Sequence, residues 1–175
     1  MRPNILITGM PGTGKTTLCK VIAEKTDMNL ISINDLAQKL NAYSGADDAH
    51  DAKILDDDRI IDEIEETIND GGHIIEYHSS DWFPENWFHA IFVLRTFNDV
   101  LFQRLNLRGY SQEKILDTLH LENTEFSIEE ARESYNNDLV HELRNDNMDQ
   151  FQSNVDFIVN WLSEHQDVSS LSENT

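Results

Sequence analysis

Gly9-Met10-Pro11-Gly12-Thr13-Gly14-Lys15-Thr16 decides the fold. It matches the phosphate-cradling pattern G-x-x-x-x-G-K-S/T at every position. Ahead of it, Ile5-Leu6-Ile7-Thr8 is a short apolar run that reads as a buried strand. Behind it, Lys15 to Thr26 reads as a helix with Leu18, Val21 and Ile22 on its apolar side. Each part has a physical reason. Glycines let the backbone turn so that successive N–H groups converge on phosphate oxygens. A helix that starts at Lys15 aims the positive end of its dipole at the same anion. Lys15 adds a charge for the β- and γ-phosphates, the Thr16 hydroxyl is placed for Mg²⁺, and Thr17 is placed for a phosphate. Gly12, Gly14, Lys15, Thr16 and Thr17 are therefore the first nucleotide-binding candidates.

Working outward, Leu30-Ile31-Ser32 reads as a second strand, and Asn34 as the cap of a helix that begins at Asp35. Asn41 to Asp58 is polar and acidic and reads as a mobile connection. Ile60, Ile61, Ile64 and Ile68 recur at helical spacing until Gly71-Gly72. His73 to Tyr77 and Ala90 to Leu94 read as the third and fourth strands. Asn98 to Arg108 reads as a helix stopped by Gly109, and Ser111 as the cap of another. The acidic region Gln112 to Asp138 has no pattern that resolves it, Leu139 to Leu143 reads as a fifth strand, and Val155, Ile158, Val159 and Leu162 mark a final helix. Residues 168–175 are polar and read as a frayed end. Strands alternating with helices imply a parallel sheet with right-handed crossovers. The expected architecture is one α/β domain, a three-layer P-loop NTPase fold with a parallel five-stranded sheet, from which Ser32–Leu55 and Leu107–Asp117 project.

Composition narrows the function. The chain of 175 residues carries 33 acidic and 13 basic side chains, a net charge of -20. Such a surface repels RNA and anionic membranes, so neither is an expected partner of the free chain. It serves solubility or a strongly basic partner, and charge alone does not choose between them. No stretch approaches the roughly 20 apolar residues that span a bilayer, and Met1-Arg2-Pro3 leads straight into a strand-like run, so no secretory signal is expected. The single cysteine, Cys19, is read as a packing residue on the first helix.

Outside the loop, three sites carry chemistry. Glu76, at the end of the third strand, has the place of the acidic residue that holds the metal's water shell in P-loop proteins. His78 follows two residues later and points the same way if the strand stays extended. Arg104 and Arg108 lie four apart on one helix face, suited to the spread charge of a transferring phosphoryl group. Asp56-Asp57-Asp58 is read as helix-start charge rather than a metal site, and Trp82, Phe83, Trp87 and Phe88 as core.

Several segments together resemble the adenylate kinase isoenzyme 6 family, an atypical nuclear group. They are Pro3 to Gly9, Ile54 to Arg59, Tyr77-His78 with Phe83-Pro84-Glu85, Phe92 to Arg95, and Arg104-Leu105 with Arg108-Gly109-Tyr110. The similarity runs from about Pro3 to Leu162. The resemblance implies ATP contacts at Gly12, Gly14, Lys15, Thr16, Thr17 and Arg108, an NMP-binding segment at 32–55, and a short LID at 107–117. It also implies Mg²⁺-dependent transfer from ATP to AMP giving ADP, with broader acceptor chemistry and additional ATPase activity. Beyond the chemistry it implies nuclear residence, with the cytoplasm as a second compartment, and small ribosomal subunit maturation through a basic ribosomal protein. We read the chain as a monomer. Two departures stand out: Gln38 and Lys39 follow Asp35-Leu36-Ala37 where the family commonly carries an arginine, and Glu76 replaces the usual aspartate. In this reading Lys15, His78 and Arg108 are catalytic, Arg104 joins the nucleotide contacts, and Thr16 and Glu76 hold the metal. Two rivals remain: an ATP-driven assembly factor with little kinase activity, and a small-metabolite kinase of the shikimate type.

Overall fold

The computed structural model describes residues 1–47 and 52–168. Its centre is a five-stranded, wholly parallel sheet. The strands are β1 (Ile5–Gly9), β2 (Asn29–Ser32), β5 (His73–Glu76), β6 (Ala90–Arg95) and β7 (Val140–Arg144), in spatial order β2-β5-β1-β6-β7. The three central strands are buried along their whole length, which is why their sequences are almost continuously apolar rather than alternating. The edge strands β2 and β7 are only partly buried.

The register separates two apolar faces. Leu6 lies beside Ile75 and Ile91, and that face packs beneath α2 (Ile33–Leu40), α3 (Asp57–Ile68) and α6 (Phe126–Ser134). Phe83, Trp87 and Phe88 are buried there and Trp82 packs against them, so the aromatic run is core as expected. On the other face Ile5, Ile7 and Phe92 pack against α1 (Lys15–Thr26) and α7 (Met148–Glu164). Cys19 is buried in this second cluster; burial pushes its thiol well above its usual pKa, Glu76 adding to the effect, and keeps it neutral. The P-loop α/β class read from the sequence is the class found.

Local expectations fared unequally. Helix α1 spans the residues expected, and Asp56 caps α3 by accepting from Arg59 N, so the acidic run is indeed a helix start. The cap of α2 is Ser32, not Asn34: its Oγ accepts from Asp35 N and the helix begins at Ile33. Asn34 has simply become part of the first turn. The stretch 41–58 is no mere connection, because β3 (Tyr43–Asp47) and β4 (Ala52–Leu55) pair antiparallel within it. Polar residues mask these strands, from which Tyr43 and Leu55 pack against the core. The acidic region resolves into α5 (Gln112–Asn123) and α6, divided at Glu125, whose φ is +61°. Helix α4 (Asn98–Leu107) and α5 share a small cluster of their own, Leu101, Leu105 and Ile115. The segment 107–117 is accordingly the end of α4, the link Arg108–Ser111 and the first turns of α5, with Ser111 capping as expected. The frayed end expected at 168–175 lies outside the described residues except for Val168, whose N–H donates to Met1 O.

One buried side chain ties the start of the sheet to its neighbours. Asn4 is fully buried; its Nδ2 donates to Ile68 O at 2.8 Å and its Oδ1 accepts from His73 N at 3.0 Å. Asn4→Ala orphans both backbone groups and should cost about 2–3 kcal/mol. Urea denaturation should show a lower midpoint with an unchanged slope.

Candidate active site

The loop between β1 and α1 is held from three sides. Gly9 and Gly14 have φ of +147° and +97°, and a Cβ on either would collide, with Leu94 O at 2.7 Å and with Asn145 Nδ2 at 2.5 Å. These collisions report what braces the loop. Asn145, just past β7, donates from Nδ2 to Thr13 O at 2.7 Å. Its own carbonyl accepts from Arg104 Nη2 at 2.9 Å, and Arg104 Nη1 donates to Gly12 O at 3.2 Å. Arg104 thus grips the loop's outward carbonyl, which leaves the amide side of the loop free for anions. Asn145 carried no motif in the sequence, and only its place at the end of a strand hinted at a role.

Lys15 Nζ donates to Gly9 O at 2.8 Å and Met10 O at 3.0 Å. Burial of the ammonium group lowers its pKa to about 8, against the opposing pull of Glu76. Thr16 and Glu76 meet directly: Thr16 Oγ1 donates to Glu76 Oε1 at 2.6 Å. The register explains this, since Glu76 lies beside Ile7 and therefore faces α1. The extra methylene of glutamate, relative to aspartate, reaches the hydroxyl without displacing the strand. A magnesium ion fits this pair as one hydroxyl and one carboxylate, completed by phosphate and water in the usual manner of that ion. Among the described residues no cluster of three or more His, Cys, Asp and Glu could hold a metal ion.

Two cavities open at the start of α1, one onto Thr17 and the other onto Thr16 and Glu76. One, of about 390 Å³, is lined by Gly12, Gly14, Thr17, Arg104 and Arg108 on its polar side and by Leu107, Met148 and Phe151 on its apolar side. The other, of about 350 Å³, is lined by Thr16, Glu76, Lys20, Ser32, Asp35 and Lys39 among others. Lys39, not Gln38, faces it. A larger cavity of about 680 Å³ lies beside the C-terminal end of α1, lined by Arg2, Lys25, Asp27 and Leu162. It is at the end of the fold away from the phosphate loop and shares no residue with it. Size is therefore a poor guide to chemistry here.

The candidates of the sequence thus gather at the carboxyl ends of the strands, as open α/β sheets place their ligands. Arg108 caps α4 and is exposed at the cavity mouth; Arg104 lines the same cavity but spends its hydrogen bonds on the loop. His78 follows β5 on the surface, its ring 4.2 Å from that of Tyr77. Protein crowding on its inner side, then the charge of Lys15, hold its pKa below the ordinary imidazole value, while its outer side stays open to solvent. It is a neutral imidazole at neutral pH.

Residues 5–131 match the model of an AAA domain. The chain is 40% identical over 161 residues, 92% of each chain, to an adenylate kinase isoenzyme 6 homolog of Dictyostelium discoideum. It is 37% identical to the Caenorhabditis elegans homolog, covering 98% of this chain and 96% of that one. The chain belongs to the adenylate kinase isoenzyme 6 family. The adenylate kinase isoenzyme 6 reading of the sequence, built on Tyr77-His78 and Arg108-Gly109-Tyr110, is thereby upheld. Among solved structures it resembles a shikimate kinase from Bacteroides thetaiotaomicron, with a TM-score of 0.58, 19% identity, and 93% and 99% of the two chains covered. A gluconokinase from Sinorhizobium meliloti gives the same TM-score at 14% identity, covering 95% and 98%. At such identities the likeness speaks for the fold and not for a small-metabolite substrate. A nucleotide kinase is what the family and the fold together support.

The lowered pKa of Lys15 has a measurable consequence. Phosphate oxygens favour its charged form and raise the pKa on binding. Mg-ATP should therefore bind with net proton uptake near pH ~8.5, where the free lysine is partly neutral, and with almost none near pH ~7. Calorimetry in buffers of different ionisation enthalpy reads this directly.

Proposed function

We propose that the protein transfers the γ-phosphoryl group of Mg-ATP to a nucleoside monophosphate, AMP foremost, giving two nucleoside diphosphates. The observation that carries this reading is a pair of cavities at the start of α1, one lined by the phosphate loop, Thr17 and Arg108, the other by Thr16, Glu76, Lys20 and Lys39. Thr16 and Thr17 are consecutive yet open onto different cavities, so a donor and an acceptor phosphate would occupy separate cavities at the start of one helix. In-line transfer needs that arrangement and no covalent intermediate.

In this mechanism the loop amides and Lys15 hold the β- and γ-phosphates, and Arg108 meets the charge that develops on the transferring group. Leu107, Met148 and Phe151 offer an apolar wall to the base. Thr16 and Glu76 would hold a magnesium ion, whose charge would offset that of the phosphates. Lys39 and Lys20 provide point charges for the acceptor phosphate where relatives commonly use an arginine. Neutral His78 orders the attacking group, either the acceptor or a water, which allows ATP hydrolysis as a second outcome. The link Arg108–Ser111, between α4 and α5, is the segment that would close over the donor and exclude water. The names of the relatives as adenylate kinase isoenzyme 6 homologs support AMP as acceptor.

ADP and inorganic phosphate should be measured together, with ATP alone and then with each monophosphate. ADP formed well in excess of phosphate once AMP is added supports transfer. Phosphate equal to ADP under every condition overturns it in favour of an ATPase. Lys15→Ala should abolish both activities. Lys39→Gln should raise the apparent KM for the acceptor about tenfold with little change for ATP.

A second role rests on the charge of -20. Once the cations around the two cavities are set aside, the rest of the surface is strongly acidic. We propose that it holds a basic small-subunit ribosomal protein during ribosome maturation, in the nucleus. Such binding should be fast, should weaken steeply as salt rises from about 50 to 200 mM, and should be antagonised by RNA. Titration of the purified partner at both salts, with and without competing RNA, tests this; salt-insensitive binding would return the acidic surface to solubility alone.

A further inference from the structure

The sheet stops supporting the β5 strand at Tyr77, whose N–H donates to Ile7 O at 3.3 Å. His78 lies beyond that last rung. Something else must fix the backbone that carries it, and the candidate is not local. Glu130, on α6, accepts at a single oxygen, Oε1, from Ser80 N at 2.7 Å and from Ser80 Oγ at 3.2 Å. Ser79 Oγ lies 3.3 Å from the same oxygen, but its one proton has a shorter partner in Asp81 Oδ1 at 2.8 Å. From the far end of α6, Tyr135 donates its hydroxyl to Ser80 O at 2.7 Å. Both backbone groups of Ser80, a fully buried residue, are therefore held by one helix some fifty residues further along the chain.

This is more than a core needs. Ser80 sits two residues after His78 and four after Glu76, so the strand end that presents both is pinned at one side by the sheet and at the other by α6. A charged acceptor on a backbone N–H gives a short, directional bond, stiffer than loop packing. We propose that Glu130 is a positioning residue for His78: its carboxylate holds Ser80, and through that backbone sets where the imidazole stands relative to Glu76 and Lys15. The proposal rests on the role given to His78 in the transfer reaction above. It adds a residue that touches neither nucleotide nor metal.

Glu130→Gln keeps the size and an acceptor oxygen but removes the charge. If Glu130 acts through His78, kcat should fall about tenfold, as small misplacements of a reacting group do, while the KM for ATP stays within about twofold. In a His78→Gln background the same substitution should change kcat by less than about twofold, because the group it positions is gone. Additive losses in the double variant, or no loss in the single one, overturn the proposal. Imidazole resonances give an activity-independent reading: the His78 signals should shift or broaden in Glu130→Gln and not in Asp138→Asn, a control just before β7. Unmoved His78 signals overturn the clamp even if the wild-type protein proves to have no transferase activity, whereas inactivity with moved signals condemns only the functional reading. Circular dichroism checks folding, and Glu130→Asp, which keeps the charge, should recover part of the lost kcat.

Discussion

A loop that points its N–H groups at an anion must turn its carbonyls the other way, and those carbonyls need partners. This constraint organises the structure. Thr13 O takes a hydrogen bond from Asn145, Gly12 O from Arg104, and Gly9 O and Met10 O from Lys15. Arg104 and Asn145 also bond to one another, so the end of β7, the α4 helix and the phosphate loop form one braced unit. Without those outer bonds the amides of the loop would have no fixed direction, and the electrostatic pre-organisation on which phosphoryl transfer depends would be lost.

The parallel sheet then does the gathering. All its strands end on the same side, so the phosphate loop, Glu76, His78 and Asn145 converge although they are far apart in sequence. The contact between Thr16 and Glu76 is a direct product of register, because the neighbour of Glu76 is Ile7 and both face α1. The larger cavity near Arg2 and Lys25 lies beyond this convergence and gains none of its groups.

Charge sharpens the picture. Of 13 basic residues, Lys20, Lys39, Arg104 and Arg108 line the two cavities and Lys15 stands in the phosphate loop, in a chain with a net charge of -20. The surrounding acidity makes that basic island the favoured seat for phosphates. Burial limits the charge of Lys15, leaving it with a pKa of about 8, so the site holds that charge most firmly when phosphate is bound. Arg95 and Glu122, a buried ion pair beside the end of β6, show the other way such a chain accommodates an interior charge.

The sequence alone determined what depends on near neighbours. The loop motif, the helix that follows it, the cap at Asp56, the stop at Gly71-Gly72 and the apolar central strands are all set by residues within a few positions of each other, where backbone geometry and periodicity act. The same local logic misread Asn34 as a cap, passed over the β3–β4 hairpin and left 112–138 unresolved, because polar residues there give no periodic signal. Tertiary structure decided which distant groups meet. Asn145 reaches Thr13, Glu130 reaches Ser80, Arg104 reaches Gly12 O, and Lys39 rather than Gln38 faces the second cavity. Those outcomes depend on strand order and helix rotation, which are fixed by burying two apolar faces at once and are not written in any single stretch of chain.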